Sequence, residues 1–153
     1  MIIFEFSRHE DDHDDLGPTA FDFGDMTVVG DLGSASSEDD GMGAMMIFVS
    51  VSMLLEELSA LVERGRGGFN YMGMSSRFSL NFTLMKRRMA VRTGRVAIVD
   101  GDAGQVLDAV LQAANEFAAR ELPLLAADDG GRTDVEGSIA IFSRAVQRYA
   151  QAD

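Results

Sequence analysis

Cysteine and tryptophan are absent from the 153 residues, proline occurs only at positions 18 and 123, and Lys86 is the one lysine beside twelve arginines. Without cysteine there can be no disulfide, no thiolate zinc site and no cysteine nucleophile. The same absence is compatible with a reducing cytoplasm, which is the expected location. The two histidines, His9 and His13, sit four residues apart in one acidic segment. General acid–base chemistry would therefore fall to carboxylates or to Tyr71 and Tyr149, and nothing in the spacing singles out a pair of them. No G-x-S-x-G, P-loop or G-x-G-x-x-G pattern occurs. The longest uncharged run, Gly41 to Leu55, has fifteen residues and is broken by Gly43, Ser50 and Ser52. It falls short of the roughly 20 apolar residues that cross a bilayer, and the start of the chain meets Glu5 before any base, unlike a signal peptide. Neither membrane insertion nor a cofactor is expected.

What is present in excess is negative charge, −12 at neutral pH, and it is unevenly placed. Residues 1–41 carry twelve acids against Arg8 alone, residues 42–99 three acids against eight bases, and residues 100–153 ten acids against four arginines. Such a surface is repelled by phosphate backbones and attracted to basic proteins. Nucleic acid is thus an unfavourable partner, and a protein with a basic surface a favourable one.

The length suits one domain, and a chain of this size buries roughly 68–70% of its unfolded surface without needing a staple. Ile2, Phe4 and Phe6 alternate with Ile3 and Glu5, which predicts a strand over 2–6. Arg8 to Asp15 has no apolar residue and reads as a solvated loop. Phe21, Phe23 and Thr27-Val28-Val29 predict one or two strands within 19–31, and the Gly, Ser and acid stretch from Gly30 to Gly43 reads as a second loop. Met45 to Ser50 fits either a buried strand or the approach to a helix. From Ser52 the spacing of Leu54, Leu58, Leu61 and Val62 predicts a helix, stopped by Gly65, Gly67 and Gly68. Phe78, Leu80, Phe82 and Leu84 alternate with Ser79, Asn81 and Thr83, the pattern of a sheet with one buried face. With Phe69–Met72 before it and Met89–Val91 and Val96–Val99 after it, this predicts an antiparallel meander. Asp102–Gln105 and Thr133–Glu136 both have capping-box spacing. Two closing helices follow, with stripes Val106, Val110, Ala113, Phe117 and Val135, Ile139, Phe142, Val146, Tyr149. The expectation is a single α+β domain over 1–153: an antiparallel sheet of about five to seven strands packed by two or three helices. Its regions are strands and acidic loops over 1–43, a helix over 44–65, the meander over 69–100 and two helices over 102–151.

His9-Glu10-Asp11-Asp12-His13 spells H-E-x-x-H, in which two histidines one helical turn apart hold zinc. The flanking Arg8, Asp14 and Asp15 supply no apolar stripe to dock such a helix, and no third ligand is evident. A calcium loop would need the glycine and terminal glutamate that this segment lacks. The acids are better read as a solvated loop, with no metal expected. Arg64-Gly65-Arg66-Gly67-Gly68 resembles an RGG element but is explained as a helix stop. Lys86, Arg87, Arg88, Arg92 and Arg95 form a basic strip, expected to pair with the protein's own acidic loops or to guard a sheet edge. The methionines of the middle third are expected to fill the core.

The order of elements resembles the small acidic α+β immunity proteins that accompany bacterial polymorphic toxins, notably actinobacterial ones. It runs from acidic N-terminal strands through Met45–Glu63 and the Phe69–Val99 meander to two terminal helices. The resemblance implies a non-catalytic cytoplasmic antitoxin that blocks a cognate toxin domain, such as a nuclease or a nucleic-acid deaminase. The resemblance carries over no binding residue; the charge map of an acidic plug places the expected contact among Glu10, Asp11, Asp12, Asp14, Asp15, Glu38, Asp39 and Asp40, with Asp128 and Asp129 as a second patch. The alternative is a structural or regulatory interaction module that forms a homo-oligomer.

Overall fold

The computed structural model describes residues 1–10 and 17–152. The architecture is α+β, as the periodicities predict, but with two four-stranded antiparallel sheets in place of one sheet. The first sheet holds β1 (Ile3–Arg8), β2 (Phe23–Val29), β3 (Ser34–Ser36) and β4 (Met45–Met46). Strand β2 pairs with β1 on one side, and with β3 and β4 in succession on the other. Phe4 and Phe6 stand opposite Val28 and Met26 on the buried face, while Ile3, Glu5 and Ser7 stand opposite Val29, Thr27 and Asp25 on the outer face.

Three local expectations are corrected here. Strand β1 runs on to Arg8 instead of ending at Phe6. The Gly30–Gly43 loop contains β3, whose small polar residues Ser34 and Ser36 give no apolar alternation. The segment at 44–51 splits, with Met45–Met46 forming a strand and α1 (Ile47–Arg64) beginning directly after it. Helix α1 stops where Gly65 takes a left-handed conformation (φ 77°) and gives its N–H to the Leu61 and Val62 carbonyls. Glycine adopts that conformation without the Cβ clash other residues meet.

The second sheet is the predicted meander, somewhat longer at both ends: β5 (Gly67–Met72), β6 (Ser79–Met85), β7 (Arg88–Thr93) and β8 (Val96–Asp102), in that order. Leu80, Phe82 and Leu84 on β6 face inward as their alternation requires. Helix α2 (Ala103–Glu121) starts at the expected cap, with the Asp102 carboxylate accepting from the Gln105 N–H at 3.0 Å. Pro123 then opens a 3-10 turn over Leu122–Leu124. Helix α3 (Gly130–Gln151) starts earlier than Thr133, because Asp129 caps it by accepting from the Gly131 N–H at 2.8 Å. The Ser52 and Ser138 hydroxyls, 2.5 Å apart, satisfy each other where α1 and α3 pack.

The two sheets meet where Leu32 N–H donates to the Ile98 carbonyl at 3.0 Å. A β-carbon on the neighbouring Gly30 would lie 2.2 Å from that same oxygen, so only glycine allows the approach. A continuous line of rings ties the layers together. Phe69 stacks on Phe82 (centroids 5.1 Å apart), Phe82 on Phe4 (6.5 Å), and Phe6 meets Phe117 edge-on (6.4 Å). Phe117 in turn packs against Phe48 of α1 at 5.2 Å. One core cluster thereby draws on both sheets and all three helices. Phe82 joins the sheets and is fully buried. Replacing it with alanine removes the ring and leaves a cavity, at an expected cost of about 3–5 kcal/mol. Urea unfolding should show a lowered midpoint with an unchanged m-value; a loss below about 1 kcal/mol would mean that the stack does not join the sheets.

Candidate functional site

Arg8 is the only base in the first 41 residues. It stands opposite Gly24 at the end of the β1 core face, so its side chain continues the inward row of Phe4 and Phe6. Its Nε donates to Glu121 Oε1 at 3.0 Å, and both side chains are over nine-tenths buried (9% and 7% exposed). Asp22 lies 3.7 Å from Arg8 Nη1, close enough to attract but too far to hydrogen-bond. Arg120 completes the cluster, donating to Glu121 Oε2 at 3.0 Å and to the Phe6 carbonyl at 2.7 Å. The expectation of a solvated Arg8 is overturned. The strand's period carries the guanidinium inward, and a carboxylate at the C-terminal end of α2 receives it.

The second constellation lies on the outer face of the first sheet. Asp25 is 7% exposed although it points away from the core. Ser37 Oγ donates to Asp25 Oδ1 at 2.6 Å and accepts the Met26 N–H at 3.0 Å, while His9 Nε2 bonds Asp25 Oδ2. The set contains serine, histidine and aspartate, but in the wrong order for nucleophilic catalysis. A nucleophile needs the imidazole against the hydroxyl, with the carboxylate behind the imidazole. Here the carboxylate sits between the two, and Ser37 is 1% exposed with both of its bonds directed into the fold. What the arrangement does is mechanical. It ties the start of the acidic segment at His9-Glu10 to the start of the second acidic loop at Ser37-Glu38. His9 also follows a strand and gives its backbone N–H to the Phe23 carbonyl at 2.9 Å, so it does not sit on the helix that H-E-x-x-H zinc chemistry uses.

Glu10, Glu38, Asp39 and Asp40 are exposed, and the Asp25 link brings them to the same end of the first sheet. Asp39 is partly engaged, its Oδ2 accepting the Ser36 N–H at 3.0 Å. Asp11, Asp12, Asp14 and Asp15 lie outside the described residues. The second patch does not stand as expected. Asp128 is exposed, but Asp129 is committed to the fold, capping α3 and accepting the Ala20 N–H at 3.3 Å.

The basic strip is also placed differently. Strand β7, which carries Arg88 and Arg92, is interior to its sheet and guards no edge. Arg87 donates to the Tyr149 and Ala152 carbonyls at 3.3 and 3.1 Å, closing the end of α3, where a cation also complements the helix dipole. Arg88 pairs with Asp100 on β8 at 3.1 Å, and Arg92 bonds the Arg95 carbonyl at 3.0 Å. Arg148 of α3 pairs with Glu63 of α1. Among the described residues, Arg87, Arg88, Arg92 and Arg148 thus serve helix ends and neighbouring strands.

Sequence reasoning missed Asp25, Ser37 and Glu121. Asp25 and Ser37 look like ordinary polar residues on an outer face and in a loop. The one usable signal was an acid between the buried Gly24 and Met26. Removing the Ser37 hydroxyl strands the Met26 N–H and one Asp25 oxygen, so Ser37→Ala should cost about 1–3 kcal/mol. Hydrogen exchange at the Met26 amide should quicken with it; an unchanged rate would contradict the link between the loops. No family model, no curated protein and no solved structure matches this chain.

Proposed function

We propose that this is an acidic immunity protein, which binds a cognate toxin domain through the acidic end of its first sheet and blocks it. One observation carries the reading. Arg8, the single arginine or lysine of the N-terminal region, is buried against Glu121, while Glu10, Glu38, Asp39 and Asp40 are exposed. Among the described residues no ion pair reaches Glu10, Glu38, Asp39 or Asp40. Uncompensated like charges on a braced scaffold steer a basic partner and raise its association rate. Toxins that act on nucleic acid carry basic clefts, and an acidic plug fills such a cleft without any catalytic group of its own.

A second reading, a homo-oligomeric interaction module, is favoured by β5. It lies at the end of its sheet, begins with Gly67 and Gly68, and has neither lysine nor proline to blunt its free edge. Light scattering of the purified protein separates the two, since edge pairing gives a dimer with no second protein present.

The direct test is co-expression with the toxin domain encoded beside this gene. The wild-type protein should restore growth, and lysine at Glu38, Asp39 and Asp40 should slow association with that domain at low salt by tenfold or more. Growth arrest that the wild-type protein does not relieve would refute the immunity reading. Rescue with unchanged association after the reversal would move the contact away from these loops.

A further inference from the structure

Four methionines, Met42, Met53, Met72 and Met74, line an open groove of about 760 Å³; Met42 and Met53 also pack against the core, while Met72 and Met74 are exposed. Its walls are braced through the backbone. Arg77 N–H donates to the Met42 carbonyl at 3.0 Å, Ser76 Oγ to the Gly43 carbonyl at 2.5 Å, and Met46 N–H to the Met74 carbonyl at 3.0 Å. Met74 N–H is held by Ser50 Oγ of α1 at 2.9 Å. A β-carbon at Gly73 would come within 2.8 Å of Met45 Sδ, so the wall rests directly on the buried Met45. The lining is therefore soft and the frame firm. Unbranched thioethers repack around varied apolar shapes, which is why such surfaces serve in recognition.

The groove has an acidic rim. Glu38, Asp39 and Asp40 run straight into Gly41 at one wall. On α1, Glu57 follows Met53 by one helical turn and so shares its helix face, outside the lining itself. Burial, and then the neighbouring Glu56, push the Glu57 carboxyl above the usual carboxylate value. Arg77 is the only charged residue in the lining itself. At about 760 Å³ the groove is many times the ~30 Å³ that one water occupies in the liquid, room enough for side chains.

Resting on the reading above for the partner's positive charge, we propose that this groove seats the apolar side chains of a short cationic amphipathic segment of that partner. The thioethers take its apolar face, and the carboxylates on either side take its flanking lysines or arginines. Apolar anchors at helical spacing fit a groove of this kind.

The test uses the full chain with 13C-labelled methionine methyls. The probe is a 14-residue helical peptide built of leucine and lysine, and the control replaces every leucine with serine at the same charge. The methyl signals of Met42, Met53, Met72 and Met74 should shift with the probe, while those of the buried Met26 and Met89 stay. Both the serine control and the variant Met72→Ser/Met74→Ser, whose side chains are already exposed, should weaken binding at least tenfold. Equal binding of probe and control, unchanged affinity of the variant, or no shift at the four methyls would overturn the groove. Each of those results leaves the acidic-loop reading standing, because that reading falls only on the toxin experiment.

Discussion

The ion pair between Arg8 and Glu121 decides how charge is distributed over this protein. With 25 acids and 13 bases, the position of each base determines which acids remain uncompensated. Burying two charges is costly, and their attraction only offsets that cost when the geometry is good and the remaining lone pairs are satisfied. Here Arg120 and the end of β1 supply the further bonds. The pair stitches the first strand to the end of α2, 113 residues away. It also withdraws the only base of the N-terminal region from the surface, and the arginines of the second sheet are occupied locally. Among the described residues, Glu10, Glu38, Asp39 and Asp40 are left exposed without an ion pair.

The same logic explains why the loops are braced. Like charges held close repel, and an unbraced pair of acidic loops would spread apart. Asp25 accepts from Ser37 on one side and bonds His9 on the other, so both loops leave the sheet from fixed points. The backbone bonds between Met42, Gly43 and the Ser76–Arg77 turn then fix the far end of the second loop against the second sheet.

Much of the fold was legible because period and chemistry agreed. The β6 alternation, the Asp102 cap and the α2 and α3 stripes each depend on neighbours within a few residues. The errors have a common cause, a tertiary partner outside the local window. Arg8 looked solvated because its partner Glu121 lies in another helix. Strand β3 was hidden because Ser34 and Ser36 pair with β2 through the backbone, without an apolar face. Helix α3 begins ahead of the Thr133 box because Asp129 caps it, and the same carboxylate holds Ala20, a partner distant in sequence. Of the middle-third methionines, Met45 and Met89 fill the core as expected, whereas Met72, Met74 and Met85 are exposed, a difference that composition cannot show. Of the candidate site, the acidic loops were evident from charge alone, while the Asp25 link that joins them was not.

The central claim is that an uncompensated negative field at the end of the first sheet drives recognition. The most direct measurement is the association rate between the wild-type protein and the basic toxin domain proposed as its partner, followed by stopped flow across a range of salt. The account predicts a fast rate that falls steeply as ionic strength rises, while dissociation changes little. An association rate indifferent to salt would contradict it.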